Sequence, residues 1–157
     1  MNGSDVGREA TYAAEEEAFG GTELDADTAL DALVALATTV TAGEWWRACG
    51  APAVRVEGAA ARSSSARPRG AEVVVRLASG QRTPGTLSHE LAHAFAGVLA
   101  GHDASFRAAH VDVVALLAGA DAAGDLARSY GVAGLAIGDR RWPIPIRVSG
   151  DGFAIIP

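Results

Sequence analysis

The chain has 157 residues, 49% of them hydrophobic and 20% charged, which excludes a disordered polymer and fits one globular domain. A formal net charge of −6 argues against a nucleic-acid surface, and the single cysteine, Cys49, excludes an intrachain disulfide or a thiolate-rich metal site. No apolar run reaches the length of a membrane span, and the N-terminus has neither the basic nor the apolar part of a signal peptide, so a cytoplasmic protein is expected.

Tyr12 and Phe19 flank Ala13, Ala14 and the acidic run Glu15 to Glu17, predicting an amphipathic helix over roughly 5–19, ended by Gly20-Gly21. Leu30, Leu33, Val34, Ala37 and Val40 repeat at helical spacing and predict a second helix over about 27–40, capped by Asp25 or Asp27. Adjacent side chains diverge, so one of Trp45 and Trp46 is expected in the core and the other on a groove or interface. Pro52 to Glu57 alternates in polarity and Glu72 to Leu77 is β-branched, giving two strands. Between them, 58–70 is rich in Ala, Ser and Arg and reads as a long mobile hairpin loop with Arg62, Arg67 and Arg69 solvated.

Gly80 and Pro84-Gly85 break the chain before a helix over about 86–99, capped by Thr86 or Ser88. The next helix, about 103–117, carries Phe106, His110, Val113, Val114 and Leu117 on one face, and a short helix follows over about 122–130. The tail, 141–148 and 153–156, reads as a terminal hairpin turning at Ser149-Gly150-Asp151-Gly152, its prolines favouring an edge. No internal repeat is present.

The chemistry concentrates in His89-Glu90-Leu91-Ala92-His93. Histidines four apart on a helix share a face one turn apart, so both imidazoles reach one ion. Glu90 points about 100° round the helix, beside an ion rather than on it, where a general base for an attacking water belongs. All four histidines of the chain lie between 89 and 110. A catalytic zinc site usually takes three protein ligands. His102 is the first choice for the third, because Gly97 and Gly101 let the chain turn back beneath the helix, with Asp103 free to cap the next one. Ala96 and Leu99 occupy the positions that a metzincin fills with Gly and His. Asp112, the carboxylate a gluzincin would use, falls about 120° off the inner face and is expected to meet water. His110 reads as a core histidine or a partner of a ligand, and is the fallback third ligand.

Leu87 to His93 followed by His102-Asp103-Ala104-Ser105-Phe106 resembles the SprT-like metallopeptidases. Closer still, the chain is similar to a family assigned as metallohydrolases in actinobacteria and their phages, through Tyr12-Ala13-Ala14-Glu15, Trp45-Trp46-Arg47 and the same motif pair. The resemblance covers roughly 8–131, leaving 132–157 as a C-terminal extension. It implies an α+β chain with a minimal zincin-like fold, zinc held by His89, His93 and His102, and Glu90 catalytic. Asp103 departs from the usual glycine after the third histidine, which puts a carboxylate beside the ion. The basic and zinc-ribbon DNA-binding parts of the DNA-repair members have no counterpart here.

These readings make a zinc metallopeptidase acting on a protein or peptide the leading expectation, with Tyr130 and Arg107 as conceivable oxyanion donors. The alternative is an inactive zinc-stabilised module that binds a protein through the Trp45/Trp46 region; Glu90 argues against it, since a structural site needs no base.

Overall fold

The computed structural model describes residues 5, 7–148 and 152–156. The elements in chain order are α1 (Arg8–Phe19), α2 (Leu30–Thr41), α3 (Glu44–Ala48), β1 (Ala53–Ala59), β2 (Ser65–Arg69), β3 (Glu72–Ala78), α4 (Pro84–Ala96), α5 (Ala104–Ala118), α6 (Ala120–Val132), β4 (Ile144–Val148) and β5 (Gly152–Ile156). This is an α+β arrangement: the helices pack around a three-stranded mixed sheet, with a separate two-stranded one at the end of the chain. Among the described residues no helix is long and apolar enough to cross a membrane.

β3 is the central strand and buries Val73, Val75 and Leu77, as its β-branched run predicts. β1 lies parallel to it, Val56 opposite Val75, and β2 lies antiparallel on the other side, Ala66 opposite Val75. The long hairpin loop expected over 58–70 is therefore corrected. Parallel neighbours cannot be closed by a hairpin. The chain instead crosses over after β1, and 65–69 returns as a third strand. That strand is an edge, where Pro68 costs no ladder bond and where Arg67 and Arg69 are solvated. Arg62 is exposed as well.

Of the expected stripe, α2 buries Leu33, Ala37 and Val40; Leu30 is half-buried, and Val34 is corrected to the exposed side of the helix. It begins at Leu30 after Ala29 and has no side-chain cap, so neither Asp25 nor Asp27 serves. The split expected for the tryptophans is also corrected, since both are buried. They leave α3 in different directions and are covered on both sides. Trp45 stacks on Phe95, 4.6 Å between centroids, and donates its Nε1–H to Pro143 O at 2.7 Å. Trp46 meets Phe95 edge-on and donates to Pro52 O at 2.7 Å. Each indole N–H thus finds an acceptor, which is what lets a tryptophan be buried whole.

α4 starts two residues earlier than expected. Thr83 is the cap, its Oγ1 accepting from Thr86 N at 3.1 Å, and Pro84 occupies the first turn, where its missing N–H costs nothing. Gly85 is wedged against the chain that follows α1: a Cβ there would lie 2.8 Å from Leu24 O and 2.9 Å from Phe19 Cδ2. α4 ends at Gly97 (φ 111°), and α5 is capped by Asp103, whose Oδ1 accepts from Phe106 N at 2.8 Å.

The C-terminal segment folds back on the helices, β4 beside α5 and β5 beside α3. Its anchor is Asp112. The expectation that Asp112 meets water is overturned: it is buried, its carboxylate accepting two hydrogen bonds from Arg140 Nε and Nη2 at 2.8 Å and one from Trp142 Nε1 at 2.7 Å. Helical geometry correctly put it off the face of Phe106 and Val113, but a second layer of chain covers that flank. The turn expected at Ser149-Gly150-Asp151 lies outside the described residues.

Candidate metal centre

His89 and His93 project from one face of α4, and the glycine-hinged turn between α4 and α5 carries His102 back to meet them. The three Nε2 atoms form a nearly equilateral triangle, with edges of 3.2 Å (His89–His93), 3.2 Å (His93–His102) and 3.0 Å (His89–His102). Phe106 packs against all three rings at centroid distances of 4.4 to 5.0 Å. Tyr12, from α1, stacks on His89 at 5.0 Å and 13° and touches His102 at 5.4 Å.

The opposite nitrogens explain why this triangle suits a cation. Asp5 accepts from both the backbone N and the Nδ1 of His102. Burial works against its charge, but the hydrogen bonds from His102 win and hold Asp5 below the usual carboxylate range, so it only accepts. The Nδ1 of His102 therefore carries the proton and its Nε2 is a lone pair. Glu15 lies 2.6 Å from His89 Nδ1 and, with its carboxyl ionised, does the same for His89. In that state the two Nε2 lone pairs, 3.0 Å apart, cannot bond each other and both face the point where a cation would sit. A tetrahedral ion with metal–nitrogen distances of ~2.0–2.1 Å sets its ligand nitrogens about 3.3 Å apart, close to the edges found. Carboxylate–histidine pairs of this kind orient metal ligands generally. The residues fit a divalent ion.

Burial supplies the protonation states that ligation needs. It pushes His89 and His93 down to about 3 and lowers His102, so all three imidazoles are neutral. Burial also pushes Glu15 up to about 8; a cation on the far side of His89 acts the other way and favours its carboxylate. Glu90 is raised to about 7, by burial first and then by the charge of Glu15. Glu90 and His89 line an open cleft of about 530 Å³, together with Arg8, Tyr12, Ser64 and Thr86.

His110 is not part of the triad. It is fully buried, with Nε2 2.9 Å from Ser88 Oγ and Nδ1 2.8 Å from the Tyr130 hydroxyl and 3.3 Å from Glu15. Glu15, His89 and His110 form a second, wholly buried group close enough to hold an ion. In that group, however, the ring nitrogens already have protein partners, whereas among the described residues the three Nε2 atoms of the triad face only one another. His110 is thus a core histidine that braces Glu15. Tyr130 and Arg107 are corrected as oxyanion donors. Tyr130 is buried against His110, and Arg107 donates to His102 O at 2.7 Å and Ala136 O at 2.6 Å. The Asp103 carboxylate is engaged as the helix cap.

The residues that reading the chain missed are Asp5 and Glu15. Glu15 sits in an acidic run that looks solvated, and Glu16 and Glu17 are indeed exposed. Its one signal was helical phase: Thr11, Ala14, Glu15 and Phe19 share the buried face of α1. Compared with protein-family models, with curated proteins and with solved structures, the chain matches none.

Proposed function

We propose that the chain is a zinc-dependent hydrolase of peptide or amide bonds, a metallopeptidase of the SprT-like kind working in the cytoplasm. The observation that carries this is the triangle of His89, His93 and His102 Nε2 atoms, 3.0–3.2 Å on a side, with Glu90 lining the cleft beside it. A bound zinc ion supplies Lewis acidity, bringing the pKa of a water towards neutrality and polarising a substrate carbonyl. The protein's own residues do the rest. Asp5 and Glu15 hold two imidazoles in the tautomer that presents Nε2. Glu90 takes the proton of the attacking water and passes it to the leaving nitrogen; a carboxyl raised to about 7 is matched to both tasks at neutral pH. The cleft is within the size range of ligand sites and opens to solvent, so a segment of peptide can enter it.

The reading as a zinc-stabilised binding module loses its surface, because Trp45 and Trp46 are both buried. The test is elemental analysis with a Glu90→Gln variant. One zinc per chain is expected, lost on replacing His89 and His93 by alanine. Glu90→Gln is expected to keep the zinc and lose hydrolysis of a peptide library. Protein that takes up no zinc at neutral pH overturns the proposal.

A further inference from the structure

Attack on a carbonyl places negative charge on its oxygen, and catalysis of this kind needs a hydrogen-bond donor there. Several donors lining the cleft are already engaged. Thr83 Oγ1 caps α4 and donates its own proton to Thr86 Oγ1, and the Ser64 backbone N–H is bound by Gln81. Tyr12 differs from these. Its ring lies flat on His89 and against His102, it lines the same cleft as Glu90, and it remains 44% exposed. Arg8, one turn earlier on α1, sets its guanidinium carbon 5.9 Å from the ring centroid. An ordinary phenol, with a pKa of ~10, keeps its proton at neutral pH and so can donate.

From these contacts we infer that Tyr12 is a catalytic residue, donating a hydrogen bond to the carbonyl oxygen of the substrate as that oxygen becomes negative. This rests on the hydrolase reading. In the step, the water oxygen bonds to the carbonyl carbon and the carbonyl π pair moves onto oxygen, where the Tyr12 hydroxyl meets it without giving up its proton. Glu90 takes the water's proton and delivers it to nitrogen as the C–N bond breaks.

The test compares zinc-loaded full-length wild type with Tyr12→Phe, which keeps the ring stack and removes only the hydroxyl. Calorimetric titration with phenylphosphonate, a tetrahedral oxyanion, reads the contact without turnover. The expected result is unchanged zinc content and Tm, phenylphosphonate affinity weakened about tenfold or more, and kcat on a peptide lowered about 10²–10³-fold with little change in KM. Phenylphosphonate binding as tight as in wild type overturns the inference, as does loss of zinc from Tyr12→Phe or failure of wild type to bind the phosphonate. If Glu90→Gln abolishes turnover while Tyr12→Phe leaves kcat intact, only this inference falls. If wild type takes up no zinc, the hydrolase reading falls with it; if Glu90→Gln retains turnover, the role of Glu90 as the base falls.

Discussion

Glu15 accepts a hydrogen bond from the Nδ1 of His89 at 2.6 Å, across 74 positions of the chain. The first helix therefore belongs to the candidate metal centre as much as the motif helix does. Glu15→Ala removes the acceptor that fixes the His89 tautomer, and partners of this type are worth about 10–100-fold in metal affinity. We expect Glu15→Ala to bind zinc about 10–100-fold more weakly in competition with a chromophoric chelator. Glu15→Gln, which keeps a carbonyl oxygen, should lose less. Equal affinities for all three proteins would show that the contact does not orient the ligand.

Zinc should also stabilise the fold, because His102 comes from a glycine-hinged turn while His89 and His93 come from α4, so the ion ties two segments together. An ion that binds only the native state stabilises it by about 2.7 kcal/mol at a free concentration one hundred times Kd. Thermal melts are expected to rise steadily with free zinc and to fall on adding a chelator. A Tm indifferent to zinc contradicts this.

Asp112 anchors the C-terminal segment through Arg140 and Trp142. Asp112→Ala leaves both donors without their acceptor. With Arg140 partly solvated, a loss of about 2–3 kcal/mol in urea unfolding is expected, at the low end for breaking a buried ion pair. Zinc content should stay at the wild-type level, since Asp112 belongs to neither group of candidate ligands. A fall in zinc stoichiometry would instead mark it as a ligand.

Gly85→Ala is a substitution that helix propensity alone favours by about 1 kcal/mol. The packing of α4 reverses the sign. The added methyl would sit 2.8 Å from Leu24 O, a backbone atom that cannot swing aside, and overpacking of this kind costs about 1–3 kcal/mol. Net destabilisation in chemical denaturation is the expected outcome; a more stable Gly85→Ala protein would mean that the Phe19–Leu24 segment yields freely.

What could be read directly from the chain is local. The periodicity of Leu33, Ala37 and Val40, the cap at Asp103, and the common face of His89 and His93 all follow from a helix repeat spanning a few residues, and each has its place in the fold. The glycines before His102 announced a reversal, and the reversal brings that histidine to within 3.2 Å of the other two. The errors were long-range. A Ser-Ala-Arg-Pro-Arg segment has no strand propensity of its own, and it becomes β2 because β3 offers an open edge.

The sequence by itself thus determined the candidate ligands and base, since their spacing is a property of one helix and one turn. Only the tertiary structure decided which carboxylates orient those ligands, that both tryptophans are buried, and that Asp112 holds the tail. Each depends on a partner dozens of residues away, and burial comes from the layer that folds over a residue rather than from the residue's own periodicity.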